Sequence, residues 1–231
     1  FMVADNNTYE AAGQRVEEVL RCEGYIVKKL IDEREGNIVP DERAVGEFLT
    51  SYEKNIDVIV TIGGGVLSDI SKYMSYMLGT SSIMVATAPS MDGYASVGSA
   101  FILKGTKKSL ESLPPKAIIA DIDVLREAPM DMIIAGLGDM LGKYSSLRDW
   151  KVSSIVNGEY YCDVVREMVD LSLKRCIQNI QGFTRRDGET IGYLMEGLVL
   201  VGIAMSFVGN SRPASGSEHH MSHFWELISL M

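Results

Sequence analysis

The feature that most constrains the fold is a strand pattern that runs directly into three glycines and then into a helix. Residues 57–62 are nearly all apolar or β-branched, residues 63–65 are all glycine, and apolar residues then recur at helical spacing over residues 66–78. A strand that helices cover on both faces is a continuous apolar run rather than an alternating one. The pattern therefore predicts a buried strand of a parallel sheet, followed by a tight turn and a helix.

Similar short apolar runs alternate with helical patterns throughout the first half of the chain. Further strands are predicted at residues 1–4, 25–31, 83–86 and 117–120. Helices are predicted at residues 8–23 and 43–52, and residues 100–103 with the turn at 105–108 indicate a local hairpin. Because such alternation is typical of βαβ units, we expect an α/β fold with a parallel sheet.

The pattern changes at Pro129, beyond which helical spacing continues without strand-like alternation. Helices are predicted at residues 129–150, 159–182 and 190–209, with a last one in the terminal segment. We therefore expect a domain boundary near residue 127, which separates an α/β domain of residues 1–127 from an all-α domain of residues 128–231.

The charge of the chain restricts its partners. Its 31 acidic residues outnumber its 22 basic residues, which gives a formal net charge of -9. A chain of this charge has no extended basic field, so we expect neither a nucleic-acid partner nor an anionic membrane partner. A small anionic substrate stays compatible with this charge, because one local arginine or lysine is enough to bind it.

The cysteines and the apolar runs indicate the compartment. Cys22, Cys162 and Cys176 are odd in number and widely spaced, which favours free thiols in a reducing compartment. The apolar run at residues 197–209 is too short for a bilayer-spanning helix and predicts a buried helix. With no recognisable secretory signal, we expect a cytoplasmic protein.

Neither end carries a natural start or stop signal, so we expect truncation at both ends.

The glycine triplet can bind a phosphate group. Residues without a Cβ let backbone amides approach an anion at a helix N-terminus, where the helix dipole favours negative charge. Such triplets also form ordinary strand-to-helix turns, and that alternative stays open. Asp69 and Lys72 follow in the first turns of the helix, either as solvated charges or, for Asp69, as a complement to the helix dipole.

Residues 87–96 follow another predicted strand, at the edge where open parallel sheets bind ligands. The small hydroxyl residues of this segment could line the ribose and nicotinamide of a bound dinucleotide. An ordinary turn that is capped by its own serine or aspartate side chains is the alternative.

Asp139 is the one carboxylate in the apolar helical stretch of residues 136–142. Burial of an ionised carboxylate is costly unless it is paired or bound to a metal. Asp139 is therefore the best partner in this chain for a histidine ligand, although it could instead face solvent between two helical turns.

The three histidines lie in one short segment, and His219 and His223 share a helical face because they are four residues apart. A turn-rich loop at residues 211–217 precedes them, and Ser215 or Ser217 could cap the helix. This context favours a functional pair over histidines that only pack. Arg212 in the same loop could bind a phosphate or lie on the surface.

Taken together, four motifs in order resemble the sn-glycerol-1-phosphate dehydrogenases. The motifs are residues 63–69 with Lys72, residues 87–92, residues 138–139, and residues 211–219 with His223. This family belongs to the wider group of glycerol dehydrogenases, iron-containing alcohol dehydrogenases and dehydroquinate synthases. The resemblance implies a Rossmann-like parallel-sheet domain followed by an all-α metal-binding domain whose C-terminal part is missing.

The resemblance also implies a binding site for NAD or NADP in the first domain. Asp5 and the segment from Gly65 to Asp69 would contact the ribose and pyrophosphate, and the segment after the next strand would complete the site. The implied cofactor-binding residues are Asp5, Gly65, Val66, Leu67, Ser68, Asp69, Thr87, Ala88, Pro89, Ser90 and Ser96.

By the same resemblance, Asp92 and His223 are the catalytic residues and meet the substrate together with Asp139. Asp139 and His219 would bind one divalent metal, zinc or nickel in this family, with iron as a third candidate. The family's third ligand is another histidine, which would lie beyond Met231. A metal held in this way can polarise a ketone oxygen while hydride arrives from the nicotinamide.

The implied reaction is the reduction of dihydroxyacetone phosphate to sn-glycerol 1-phosphate, a precursor of glycerophospholipids. The expected partner is a small phosphorylated triose or polyol, and a homo-oligomer is compatible with the sequence. Two alternatives stay open: a glycerol or other polyol dehydrogenase of the same fold, and a non-catalytic, truncated nucleotide-binding fragment. Dehydroquinate synthase is disfavoured, because the motifs contain few clustered basic residues for a more anionic substrate.

Overall fold

The computed structural model describes residues 1–34 and 38–229. Their contacts divide the chain into two compact units. The first unit comprises Phe1–Pro89 and Ser96–Pro129, and the second comprises Ser90–Ala95 and Met130–Met231. The predicted division into domains at residue 127 stays a prediction, and the structure groups the short segment Ser90–Ala95 with the helices that follow.

The first unit contains all strands of the described residues. They are β1 (Met2–Asp5), β2 (Lys29–Asp32), β3 (Val58–Gly63), β4 (Ser81–Ala86), β5 (Gly98–Leu103), β6 (Thr106–Glu111) and β7 (Ala117–Ile119). Five of them form a parallel sheet in the order β2-β1-β3-β4-β7, and β5 pairs with β6 in an antiparallel hairpin. The sheet confirms the predicted α/β class.

Helices connect these strands and continue through the second unit. They are α1 (Asn6–Thr8), α2 (Gln14–Cys22), α3 (Glu42–Ser51), α4 (Gly65–Leu78), α5 (Ile122–Arg126), α6 (Met130–Val156), α7 (Asp163–Gln178), α8 (Ile180–Phe183), α9 (Gly188–Val208) and α10 (Ser217–Ser229). A π-helical turn, Tyr9–Gly13, joins α1 to α2, and a 3-10 turn covers Gly93–Ala95. Leu230 and Met231, the end of the predicted helical domain, lie outside the described residues.

The continuous apolar runs of the strands are explained by burial on both faces of the sheet. Phe1, Val3 and Ile59 pack on one face with α3 and α4 residues such as Phe48 and Met74. Met2, Ala4, Val60, Ile62 and Val85 form a second core cluster with apolar residues of the α2 region. Successive residues of one strand therefore enter different cores, as the pleat requires.

One strand prediction was wrong at its start. The strand predicted at residues 25–31 begins only at Lys29. Tyr25 and Ile26 are 65% and 90% exposed, so these two side chains do not enter the core, whereas Val27 packs against the second core cluster. The preceding backbone instead turns at Gly24, which has a positive φ of 85°.

The hairpin of β5 and β6 is longer than predicted. Its register pairs Gly98 with Glu111 and Leu103 with Thr106. The two connecting residues, Lys104 and Gly105, both have positive φ, at 52° and 73°. A two-residue turn of this kind matches the twist of the adjoining strands.

The second unit is helical, and its core lies between α6, α7 and α9. Met140, Trp150, Val169, Leu173, Leu194 and Leu198 are fully buried. The helix predicted at residues 159–182 is divided into α7 and α8, and α6 extends past the predicted end to Val156.

Helix α9 begins at Gly188 and is therefore longer than the apolar run at residues 197–209 that predicted a buried helix. In the described part of the chain it is the one helix that is long and apolar enough to cross a membrane, and half of its most apolar window is buried within the protein. The core helix of a globular unit passes the same test of length and composition.

The segment Ser90–Ala95 packs directly against α9. Ser206 Oγ donates a hydrogen bond to the Ala95 carbonyl oxygen at 2.9 Å. Gly202 makes the close approach possible, because a Cβ at this position would lie 2.7 Å from the Asp92 carbonyl oxygen and 3.0 Å from Ala95 N. The absence of a side chain at residue 202 therefore helps to position Asp92.

Candidate active site

The glycine-rich turn lies at the carboxyl edge of the parallel sheet. Strand β3 ends at Gly63, Gly64 is the N-cap, and α4 begins at Gly65. The first backbone N–H groups of any helix have no acceptor within the helix, and Gly64 has no side chain that could cap them. Nearby, the buried Ser68 Oγ has no hydrogen-bond partner among the described residues. These donors at the start of a 14-residue helix suit the pyrophosphate of a dinucleotide.

Thr87, Ala88 and Pro89 lie beside this turn. Thr87 N donates to the Gly63 carbonyl oxygen at 3.0 Å, directly beyond the paired ends of β3 and β4. All three residues are buried. The structure therefore brings together two segments of the predicted cofactor site, residues 65–69 and residues 87–89.

Asp5 ends β1, which lies between β2 and β3 in the sheet. The next strand along the chain, β2, lies on one side of β1, and the one after it, β3, lies on the other side. The strand order therefore reverses at β1, and open parallel sheets bind ligands at such a switch point. The Asp5 carboxylate also caps α1, since Oδ1 accepts a hydrogen bond from Thr8 N at 2.7 Å. Asp5 thus has a structural role beside the predicted ribose contact.

Asp69 and Lys72 are not solvated charges, which corrects one interpretation of the sequence. Lys72 is 2% exposed, and its Nζ lies 3.1 Å from Asp69 Oδ1. It donates to Ser96 Oγ at 3.0 Å and to the Gly98 carbonyl oxygen at 2.7 Å. Asp69 Oδ2 accepts from Ala100 N at 3.1 Å. Two predicted cofactor residues, Asp69 and Ser96, therefore join α4 to the start of the hairpin.

Ser90, the remaining predicted cofactor residue, belongs to the helical unit. It is half-buried, and its Oγ lies 3.5 Å from the hydroxyl of the buried Tyr94. Its cofactor contact stays a prediction.

The predicted substrate and metal residues Asp92 and Asp139 meet in the helical unit, around a lysine that the sequence reasoning missed. Lys143 is fully buried, and its Nζ donates to Asp92 Oδ2 at 2.5 Å, to Asp139 Oδ1 at 2.6 Å and to the Ala214 carbonyl oxygen at 3.0 Å. Asp139 Oδ2 in turn accepts from Asp92 N at 2.9 Å. The only available signal in the sequence was the spacing of Asp139 and Lys143, four residues apart on one helical face.

The charges of this cluster perturb one another. Burial raises the pKa of the Asp92 carboxyl, and the neighbouring Asp139 adds to the rise, although Lys143 and His219 oppose it. Burial alone would lower the pKa of Lys143, but the attraction of Asp92 and Asp139 outweighs it, so the pKa is raised. The lysine is therefore a charged ammonium group that the two aspartates hold.

His219 and His223 lie on one face of α10, as their spacing predicts. Their ring centroids are 4.4 Å apart at an interplanar angle of 80°, and both residues are half-buried. The start of the helix is held by a carboxylate of α6, because Asp149 Oδ2 accepts from Ser217 N at 2.8 Å. Ser217 is itself the first residue of the helix.

Asp139 and His219 have the right donor chemistry for a divalent metal, but the described residues do not supply a complete site. Catalytic zinc sites in proteins commonly use three protein ligands. The described part of the chain contains no group of three histidine, cysteine or acidic residues that could hold a metal. Both Asp139 oxygens are also engaged, one by Lys143 and one by Asp92 N.

Arg212 contacts a carboxylate in this structure. Its Nε donates to Glu159 Oε1 at 2.8 Å, and its side chain is 43% exposed. Of the two interpretations left open by the sequence, this ion pair favours the surface one.

The sequence is similar to known proteins over nearly its whole length. The family model "Iron-containing alcohol dehydrogenase" matches residues 1–129. A glycerol-1-phosphate dehydrogenase [NAD(P)+] from Halalkalibacterium halodurans is 39% identical over 231 residues, which are 99% of this chain and 58% of that protein. One of the same name from Geobacillus thermodenitrificans is 38% identical over 228 residues, which are 98% of this chain and 56% of that protein. The chain thus spans somewhat more than half the length of these relatives.

A solved structure shares the fold. The crystal structure of glycerol dehydrogenase from Schizosaccharomyces pombe superposes with a TM-score of 0.75 at 21% identity, over 96% of this chain and 57% of that chain. This likeness confirms the predicted architecture of a parallel-sheet unit followed by helices. Since the family model covers more than half of the sequence, the chain belongs to the iron-containing alcohol dehydrogenase family.

Proposed function

We propose that this chain is the cofactor-binding and substrate-binding part of an NAD(P)-dependent sn-glycerol-1-phosphate dehydrogenase. The observation that carries the proposal is the similarity to proteins named glycerol-1-phosphate dehydrogenase [NAD(P)+], which extends over 98–99% of the chain and includes both units. The reaction is reduction of dihydroxyacetone phosphate: the nicotinamide delivers hydride to the carbonyl carbon, and the oxygen takes up a proton.

The first unit binds the dinucleotide in this proposal. The backbone N–H groups at the start of α4 hold the pyrophosphate, and residues 87–89 line the adjoining edge of the sheet. This assignment is supported by the Gly64 N-cap and by the buried Ser68 hydroxyl, which has no partner among the residues described. NADH and NADPH are both compatible with these contacts.

The second unit binds the substrate in this proposal. Asp92 and His223 contact dihydroxyacetone phosphate, and His223 donates the proton to the developing alkoxide. Asp139 and His219 would be two of the ligands of a divalent metal, which would supply Lewis-acid chemistry when bound. Because the described residues lack a third ligand, we assign no step of the reaction to the metal. A cytoplasmic location and a homo-oligomeric state stay predictions.

A polyol dehydrogenase of the same fold is the second candidate, and the Arg212 ion pair favours it. A phosphorylated substrate calls for a cation that can reach its phosphate. Arg212 was the residue singled out for this task, and its guanidinium is held by Glu159 at 2.8 Å. An unphosphorylated polyol does not need this contact.

The test is a steady-state assay of the natural full-length protein with NADH and with NADPH. We expect dinucleotide oxidation with dihydroxyacetone phosphate and formation of the sn-1 enantiomer of glycerol phosphate. Turnover of glycerol without turnover of the phosphorylated substrate would replace the proposal by the polyol dehydrogenase. Dinucleotide binding without turnover of either substrate would identify a nucleotide-binding protein that is not an enzyme.

A further inference from the structure

Lys143 joins three separate segments of the helical unit through one buried group. An ammonium group has three N–H donors, and each donor of Lys143 has its own acceptor within 3.0 Å: Asp92 Oδ2, Asp139 Oδ1 and the Ala214 carbonyl oxygen. Asp92 belongs to the segment that packs on α9, Asp139 belongs to α6, and Ala214 belongs to the loop that leads into α10.

The burial of this lysine requires an explanation. Lysine is almost never fully buried, because an unpaired charge in the protein interior is strongly unfavourable. Lys143 has no exposed surface, whereas Asp92 and Asp139 keep 15% and 16% of their side-chain surface exposed. The cation is thus more deeply buried than the two carboxylates that it pairs with.

The part of α6 next to Lys143 also contacts the loop that precedes α10. Ser146 Oγ, one turn beyond Lys143 on α6, donates to the Pro213 carbonyl oxygen at 3.3 Å. Gly216 passes so close to α6 that a Cβ there would lie 2.8 Å from Ser146 Cα. The path of this loop determines where α10 begins, and so where His219 and His223 lie.

We propose that Lys143 is a positioning residue, which holds Asp92, Asp139 and the loop at Ala214 in the one arrangement that the site requires. The proposal rests on the proposed function for its effect on turnover, but its structural part stands by itself. The positive charge of Lys143 offsets the repulsion between the two carboxylates, and its hydrogen bonds fix the orientation of both. Since the Asp92 N–H donates to Asp139 Oδ2, rotation of Asp139 would also release the backbone at Asp92.

The experiment compares Lys143→Met with the matched control Lys151→Met in the full-length protein. Lys151 lies on the same helix, is exposed, and contacts the ring of Tyr161 at 4.3 Å. Hydrogen exchange is measured by mass spectrometry for a peptide that covers residues 90–95, with a peptide from β3 as the internal reference. Lys143→Met should accelerate exchange in residues 90–95 and leave β3 unchanged, and Lys151→Met should change neither.

Turnover provides the second measurement. A displacement of the reacting groups by about 1 Å can reduce the rate about 100-fold, so we expect a loss of that order in kcat for Lys143→Met, with unchanged NADPH affinity. If the wild-type protein does not reduce dihydroxyacetone phosphate, the proposed function fails, and the exchange experiment still decides the role of Lys143. Wild-type exchange at residues 90–95 in Lys143→Met would overturn the proposal.

A double variant provides the test if the single variant does not fold. If Lys143→Met does not fold, Lys143→Met with Asp92→Asn is compared with Asp92→Asn alone, because removal of one carboxylate relieves the repulsion that the lysine balanced. Faster exchange at residues 90–95 in the double variant than in Asp92→Asn supports the positioning role. Equal exchange in the two variants contradicts it.

Discussion

The substitution Gly202→Ala tests how closely the segment that carries Asp92 packs on α9. The added Cβ would lie 2.7 Å from the Asp92 carbonyl oxygen and 3.0 Å from Ala95 N. Both are backbone atoms, so no side-chain rotation can relieve the contact, and the whole segment must move by several tenths of an ångström. Overpacking of this kind commonly destabilises a protein by about 1–3 kcal/mol.

An opposing contribution comes from the helix itself. Alanine is more favourable than glycine in a helix interior by about 1 kcal/mol. The steric cost is the larger contribution, because the clash is with two backbone atoms, and we expect a net destabilisation of about 1–2 kcal/mol. For a protein of this size, that change lowers Tm by about 2–8 °C.

Gly138→Ala is the matched control. Gly138 lies within α6 of the same unit, and nothing lies within 4 Å of the Cβ position there, so this substitution should stabilise the protein by up to about 1 kcal/mol. Thermal and urea unfolding are followed by circular dichroism for both variants. If Gly202→Ala is as stable as Gly138→Ala, the close packing of residues 90–95 on α9 is refuted.

Two further predictions concern buried charges in the first unit. Lys72→Met should lower the free energy of unfolding by about 3–5 kcal/mol, because it leaves Asp69 buried without its cation. Urea unfolding measures this change, and the control Lys54→Met, at an exposed position, should have no effect. Hydrogen bonds from Lys29 and Tyr9 lower the pKa of Glu17 to about 2. Its stabilising contribution should therefore be complete above the ordinary glutamate pKa and lost as the pH falls from there towards 2. Because Lys29 and Arg21 are partly exposed, solvent screens their attraction to Glu17, and we expect the free energy of unfolding to fall by only about 1 kcal/mol. Unfolding free energies measured across this pH range should show the loss in the wild type and not in Glu17→Gln, and a wild-type dependence equal to that of Glu17→Gln would contradict the assignment.

The architecture of the chain was largely readable from local sequence patterns. The apolar run before the glycine triplet, the helix after it and the change to helices alone beyond Pro129 all appear in the structure close to their predicted bounds. Such patterns are local, because the pleat of a strand and the turn of a helix repeat within a few residues. The spacing of His219 and His223 predicted a shared helical face for the same reason.

What the local pattern could not decide is which distant groups meet. Tyr25 and Ile26 belong to the apolar run that predicted a strand, and only their exposure in the folded chain shows that these two residues lie outside the sheet. Arg212 pairs with Glu159, which lies 53 positions away, and no periodicity connects the two.

The candidate site divides in the same way. The sequence by itself determined the residue types and their order: a glycine-rich turn, small hydroxyl residues, one aspartate in an apolar helix, and a histidine pair. Only the tertiary structure decided that Lys72 and Lys143 are buried, and that the backbone at Asp92 packs closely on α9. A buried ammonium group is stable only where acceptors from other segments converge within about 3 Å, and that convergence is a property of the folded chain.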